Sequence, residues 1–541
     1  MRAKTPPRHF LQEDTPISDS IPGHAARVPR SNIFAHLDRD VPAGLVVFLV
    51  ATPLCLGIAQ ASGAPLLSGL IAGIVGGLVV SSVSRAALSV SGPAAGLAVI
   101  VAGSIQHLGF RGLLLSSMLA GLLQICIGFA RFGDIAHFFP NAVIRGMLAA
   151  IGILIVIKQL PHALGYDHSA LLDDAFEDGF FDGLHEALAA VTPAAIAISA
   201  ICVGVYLAWP RLQRGLLRSV PVQLVAVLAG ALAATVLRSV WPAGALSPEH
   251  MVALPIFRDL GDVRSALVTP DFSRLFDPAV WTAGLTIGVV ATIESLLSIE
   301  AVDRLDPHRR ITPPNRELIA QGAGNVVSAM VGGLPVTSVI VRSSANVQAG
   351  GETRMSAMVH GLLLLVGVLL LPGLLNHVPL AALAVVLVVV GLKLTPVSLW
   401  RSMWQAGPSQ FVPFAVTVAA IIGSDLLKGT IVGLAIGLLF VVRRQQENAV
   451  TVTTQGSTTL VRFSKDMTFL QKARIKDVLR SIPSEGTVII DRSRVDFVDD
   501  DIEELLAEFE SSAGERGIEL HEELSERDRT RRAAIAAGPS H

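Results

Sequence analysis

Two charged residues stand where apolar ones would be expected, and both invite chemistry. Glu294 lies in the middle of the apolar span 280–300. An ionisable group at that depth marks a functional site by default, because hydrocarbon cannot solvate it. A carboxylate there can take up H+ or help hold Na+. Thr292, Ser295 and Ser298 lie close by in sequence and offer the oxygen ligands that Na+ prefers. Arg342 is the second charge. With Ser338 and Asn346 it follows an i, i+4, i+8 spacing, which puts all three on one helical face. Either Arg342 faces an aqueous cavity and attracts an anion, or it snorkels to the cytoplasmic interface and serves topology alone.

Two short proline-led segments supply the rest of a candidate anion site. The first contains Ser91, Gly92, Pro93 and Ala94; the second contains Pro335, Thr337 and Ser338. Proline suits the first turn of a helix, where its missing N–H costs nothing. Each segment is therefore expected to open a short helix at its proline, with Thr337 and Ser338 in the first turn of the second. If two such helices cross at mid-membrane, their N-termini face one another. Each brings unpaired N–H groups and about half a positive charge, which together make an anion site from backbone.

Apolar elements must position these residues. Only 16% of the 541 residues are charged and 51% are hydrophobic, where a soluble domain carries about 25% charged residues. Mean hydropathy is +0.59. Runs of about 20 apolar residues recur between Val41 and Val442, long enough to cross hydrocarbon about 30 Å thick. We read fourteen membrane segments, two of them short half-helices. They are 41–60, 66–84, 91–104, 110–131, 140–160, 191–209 and 220–238, then 280–300, 316–332, 336–349, 355–375, 379–396, 408–424 and 428–442.

The two sets repeat one another. Gly44 to Ala61 and Gly284 to Ala301 are identical at seven of eighteen ungapped positions, including Val50-Ala51-Thr52 against Val290-Ala291-Thr292. Seven segments per half is an odd number, so the halves insert with opposite orientation. This is an inverted repeat of the kind secondary transporters use. The 161–190 loop carries seven acidic residues and no Lys or Arg. Arg211, Arg214, Arg218, Arg304, Arg354 and Arg443 fall on the other side, which the positive-inside rule makes cytoplasmic, together with both termini. The run Asp303 to Arg310 reads as a solvated cytoplasmic loop.

Other function classes find little support. Cys55, Cys126 and Cys202 sit in apolar spans without metal-ligand spacing, and read as small buried apolar residues. His162, His168 and His185 lack ligand spacing too. The near-neutral charge gives nucleic acid no support. No resident cofactor, metal or enzyme is expected. Residues 1–40 read as a disordered cytoplasmic tail. After Arg444 the pattern changes to short strands and helices, a small α/β domain over 448–530, and residues 531–541 read as a disordered tail.

The chain resembles the SulP family of sulfate permeases. The resemblance rests on Leu88 to Gly96, Ile293 to Ser298, Arg316 to Asn325, and Gly332-Gly-Leu-Pro335 through Arg342 to Asn346 and Gly351. It covers about 40–530, and the C-terminal part looks like a STAS domain. The resemblance implies an all-α polytopic membrane domain over 41–444 with 7+7 inverted repeats, divided into a core and a gate, and usually a homodimer. It implies an anion held at Ser91, Gly92, Ser338 and Arg342, with Glu294 at the coupling-ion position. Glu300 to His308 and Val339 to Asn346 look closest to a bicarbonate-transporting branch. STAS domains often carry a phosphorylatable serine after the buried strand; here that turn reads Phe497-Val-Asp499-Asp500-Asp501, with no hydroxyl.

The expected function is secondary active transport of a small inorganic anion across the inner cell membrane. Bicarbonate comes first and sulfate second, with Na+ or H+ as coupling ion. A nucleobase permease of the same architecture is the alternative, though a neutral base does not call for a buried cation. A passive anion channel or a membrane-anchored sensor is the reading from another class, and neither needs a coupling carboxylate.

Overall fold

A computed structural model of the protein describes residues 34–133, 140–165, 192–212, 220–242, 245–424, 426–447, 450–463, 466–467, 469–495 and 497–523. Residues 1–33 of the expected 1–40 tail, the expected tail 531–541 and most of the acidic 161–190 loop lie outside them. Helix α1 spans Leu37–Ala61, so it begins inside the segment expected to be tail. Helix α2 runs Leu66–Val83 through a π-helical stretch at Gly76–Val80. After strand β1 (Ser91–Pro93), helix α3 spans Ala98–Phe129 but breaks at Gly109, whose φ of 70° and ψ of 167° are not helical. That break falls between the two segments expected at 91–104 and 110–131. Helices α4 (Asn141–Ala163), α5 (Pro193–Leu212) and α6 (Val222–Val240) complete the first half.

In the second half, α7 spans Pro278–Leu305 and α8 spans Pro314–Met330. Strand β2 (Val336–Ser338) leads into the short helix α9 (Ile340–Gln348). Helices α10 (Met355–Leu370), α11 (Leu380–Leu394), α12 (Pro408–Gly423) and α13 (Leu426–Glu447) follow. Proline sits in the first turn of α7, α8 and α12, where its fixed φ favours initiation. Asp277 caps α7 by accepting the Ala279 N–H at 2.9 Å. Among the described residues, eight helices are long and apolar enough to cross a membrane. Met355–Leu370, Pro408–Gly423 and Leu426–Val441 are shorter apolar helices.

The halves interlock. The second arm of α3 packs on α7 and α8, and its repeat counterpart α10 packs on α1 and α2. Small residues allow the close approach that membrane helices rely on. A Cβ on Gly121 would sit 2.7 Å from the Gly322 carbonyl oxygen, and one on Gly361 would sit 2.8 Å from the Gly77 Cα. Helices α4, α11, α12 and α13 form a second group around another such contact, where a Cβ on Gly152 would lie 2.6 Å from the Gly391 oxygen. Helices α5 and α6 pair with each other and lean on α11.

The two proline-led segments do not open helices at their prolines. Ser91–Pro93 and Val336–Ser338 are extended and pair antiparallel, with Ser91 opposite Ser338, Gly92 opposite Thr337 and Pro93 opposite Val336. Helical turns begin only at Ala95 and Ile340. Thr337 and Ser338 therefore lie before their helix, not in its first turn. The physical reason is shared need. Two broken segments that meet inside the protein satisfy each other's backbone groups by pairing, which two facing helix ends cannot do.

After α13 comes a four-stranded sheet in the order β3-β4-β5-β6. Its strands are β3 (Val450–Gln455), β4 (Thr458–Phe463), β5 (Gly486–Asp491) and β6 (Ile518–Glu523). The β3–β4 hairpin is antiparallel, whereas β4–β5 and β5–β6 are parallel. The parallel crossovers carry α14 (Lys472–Ser481) and α15 (Asp500–Ala513). In the hydroxyl-free turn, Asp499 accepts the Asp501 N–H at 3.1 Å as the cap of α15. Val461, Phe463, Ile475, Ile490 and Ile502 build a core separate from that of the helices. A chain ending at residue 447 should therefore purify as a monodisperse, folded membrane protein. Aggregation of that truncation, with the full chain well behaved, would show that the two cores fold only together.

Candidate anion-binding site

The β1–β2 crossing gathers most of the predicted residues. The carbonyl of Val90 accepts the Val339 N–H at 3.1 Å, which extends the strand pair by one bond. Hydroxyls at 89 and 338 meet at 2.5 Å, and Ser343 Oγ accepts the Val90 N–H at 2.9 Å. Asn346 donates to the Leu88 carbonyl at 3.0 Å. The Ser91 backbone lies against the π-helical turn of α2, since a Cβ on Gly76 would strike the Ser91 carbonyl. Such π-turns recur at functional sites.

Arg342 does not snorkel. Its side chain is 1% exposed, with Nη2 donating to the Pro93 carbonyl at 3.2 Å. Nη1 is buried and has no hydrogen-bond partner. The guanidinium lies beside Gly92, where any Cβ would collide with Nη1, and beside the Cys55 thiol of α1. Thr337 is fully buried and its hydroxyl also lacks a partner. A buried cationic N–H and a buried hydroxyl without acceptors are costly unless something fills the gap. A hydrogen-bond acceptor between them would satisfy both.

Glu294 projects from α7 toward the start of the first short helix. A Cβ on Gly96 would lie 2.9 Å from each of its carboxylate oxygens, and Glu294 Oε2 has no hydrogen-bond partner. Its flanking hydroxyls separate in role. Ser295 Oγ accepts the Ser338 N–H at 3.4 Å, tying α7 directly to β2. Thr292 donates back to the Gly288 carbonyl at 2.7 Å within its own helix. Ser298 is buried one turn beyond Glu294. Ala94 is buried where β1 turns into the short helix. Ser338, unlike Arg342 and Asn346, is extended, so the expected single helical face holds for only two of the three.

Helix α8 carries buried polar residues against the crossing that the sequence reading did not place there. Glu317, Gln321 and Asn325 follow i, i+4, i+8 spacing and are all fully buried. Asn325 Nδ2 donates to the Val336 carbonyl at 2.9 Å, and its Oδ1 accepts the Val336 N–H at 2.6 Å. This clamps β2 as a neighbouring strand would. Ser328 Oγ adds a bond to the Leu334 carbonyl at 2.7 Å. A polar stripe at helical spacing inside an apolar segment was the signal that could have found them.

The charge run after α7 is not simply solvated. Asp306 is 4% exposed and takes two bonds from Arg310, at 2.6 and 3.0 Å. Asp303 takes the N–H and hydroxyl of Thr312. Glu352, in the loop after α9, accepts from His308 at 2.9 Å and from Arg39 at 2.6 Å. The His308 bond first, and Arg39 after it, hold the Glu352 carboxyl below its usual range. Asp40 closes the cluster by accepting the N–H groups of Glu352 and Thr353. These contacts fold the loop onto the ends of α1 and α7.

The model of the sulfate permease family matches residues 37–417. The chain belongs to that family. YvdB of Bacillus subtilis, provisionally named a sulfate transporter, is 28% identical over 414 residues, 76% of this chain and 74% of its own. The bicarbonate transporter BicA of Picosynechococcus is 26% identical over 423 residues, 76% of this chain and 71% of its own. The solved structure of SLC26A9 superposes with a TM-score of 0.76 at 17% identity, over 95% of this chain and 89% of the other. At that identity the likeness establishes the fold alone. The family assignment agrees with the resemblance read from Leu88 to Gly96 and Arg316 to Asn325.

Close packing at Gly76 makes a direct test. Gly76→Ala should lower the melting temperature of the purified protein, at a cost of about 1–3 kcal/mol from overpacking, because its Cβ would collide with the Ser91 carbonyl oxygen. Gly103→Ala is the control, because a Cβ there meets nothing within 4 Å. Equal melting temperatures for the two variants would contradict the packing described.

Proposed function

We propose that this member of the sulfate permease family is a secondary active transporter of small inorganic anions. Bicarbonate is favoured and sulfate comes next. The observation that carries this reading is Arg342, fully buried at the β1–β2 crossing with Nη1 unpartnered. The anion sits against Ser91, Gly92, Pro93 and Ala94 on one side and Thr337, Ser338 and Arg342 on the other. The guanidinium and the exposed N–H groups at the two short-helix starts supply positive potential, and the small residues leave room. A neutral nucleobase would leave the Arg342 charge uncompensated, which argues against a base permease.

Glu294 is the coupling group in this reading, with Thr292, Ser295 and Ser298 as accessory oxygens. An anion entering against an inside-negative potential costs about 2.3 kcal/mol per charge per 100 mV, and one co-transported Na+ or H+ cancels that term for a monovalent anion. The Ser295–Ser338 bond gives the coupling helix a physical grip on the anion strand. The same reading makes the C-terminal sheet domain STAS-like and the assembly a homodimer. It puts the protein in the inner cell membrane with both termini cytoplasmic.

Arg342→Ala should weaken sulfate or bicarbonate binding by at least about 30-fold, the size expected when a buried charged contact is lost. Binding to the purified variant checks this, and unchanged affinity in folded protein would return Arg342 to a structural role. Glu294→Gln keeps shape but carries neither charge nor proton. In proteoliposomes it should abolish concentrative uptake and its dependence on a Na+ or H+ gradient. A Gln variant that still concentrates anion with the same ion dependence removes Glu294 from coupling.

A further inference from the structure

The candidate site is backed by a directed chain of hydrogen bonds that neither the strands nor the coupling helix explains. It starts at a group that can only donate. The backbone N–H of Ala86 donates to Ser84 Oγ at 3.0 Å. The one hydroxyl hydrogen of Ser84 is thereby directed elsewhere, and it goes to Glu317 Oε2. Glu317 is fully buried in α8, and no cation lies within ion-pair distance among the described residues. Its other oxygen, Oε1, accepts from Gln321 Nε2 at 2.7 Å. The same Gln321 nitrogen donates to Ser91 Oγ at 2.7 Å.

Polarity follows from this order. The Gln321 amide turns its NH2 toward both Glu317 Oε1 and Ser91 Oγ, with the carbonyl oxygen turned away. Gln321 Oε1 is indeed buried without a partner. With one of its two lone pairs engaged by Gln321, Ser91 still has its one hydroxyl hydrogen to give. The described residues provide no acceptor for it.

We infer that Gln321, oriented by Glu317, is a positioning residue that fixes Ser91 as a hydrogen-bond donor toward the transported anion. This rests on the reading of Ser91 as part of the anion site. The chain presents a donor at the site through Gln321 while Glu317 itself stays one residue removed from it. A hydroxyl free to rotate can accept as well as donate; one held this way favours a ligand that presents an acceptor oxygen, as bicarbonate and sulfate both do.

A double-mutant cycle on the full chain in proteoliposomes tests this, with radiolabelled sulfate uptake and sulfate binding as readouts. Ser91→Ala and Gln321→Met should each raise KM and weaken binding by about tenfold, the worth of one hydrogen bond to a charged partner. Maximal rate should hold. Gln321→Met placed in the Ser91→Ala background should add no further loss. Glu317→Gln, which frees the amide to flip, should give a smaller loss that also vanishes in the Ser91→Ala background. It decides the question if Gln321→Met does not fold. Gln321→Met and Glu317→Gln effects of equal size with and without the Ser91 hydroxyl would overturn the inference while leaving the anion site standing. Unchanged affinity in Ser91→Ala itself would overturn the site reading on which it rests.

Discussion

Inside a membrane every backbone group that leaves a helix must find a partner, and that requirement organises this fold. The chain breaks its helices twice, at Ser91–Pro93 and at Val336–Ser338, and each break answers the other by antiparallel pairing. The arrangement needs both halves of the chain. It also needs a rigid backing, which α8 provides through Asn325 on Val336 and Gln321 on Ser91. The glycines at 73, 76 and 92 then matter for what they leave out, because a methyl group at 76 or 92 would displace strand or guanidinium.

A second constraint is charge. Arg342 is buried with one carbonyl contact and a bare Nη1, while Glu294 stands beside Gly96 with a bare Oε2. No ion pair joins them among the described residues. A guanidinium N–H and a carboxyl oxygen left unpartnered at one crossing cost stability that a paired arrangement would not. The helices fall into two packed groups: the strand crossing belongs with α1, α2, α3, α7, α8 and α10, while α4, α11, α12 and α13 pack chiefly among themselves.

Much of the architecture was legible in sequence because membrane helices obey strict length and polarity rules. The repeat between Gly44–Ala61 and Gly284–Ala301 located α1 and α7. The break at Gly109 fell where the apolar pattern changed, and β3 to β6 were read from alternation and turn residues in the last hundred residues. Glu294 and Arg342 were legible as charges in apolar surroundings. Proline chemistry misled at the short segments: its preference for a first helical turn is local, whereas the extended state of residues 91–93 and 336–338 comes from a partner more than two hundred residues away.

By itself, then, the sequence determined that the chain is a membrane protein of many apolar helices with two interrupted segments and two ionisable residues, Glu294 and Arg342, in apolar surroundings. Composition, periodicity and spacing act within a few turns of chain, and those features are local. Only the tertiary structure decided that Arg342 is buried and not snorkelling, that Ser91 faces Ser338 across a strand pair, and that Glu317, Gln321 and Asn325 stand behind both. Each of those facts depends on which element packs against which. A side chain's burial and its hydrogen-bond partner are properties of that neighbourhood, not of the residue's place along the chain.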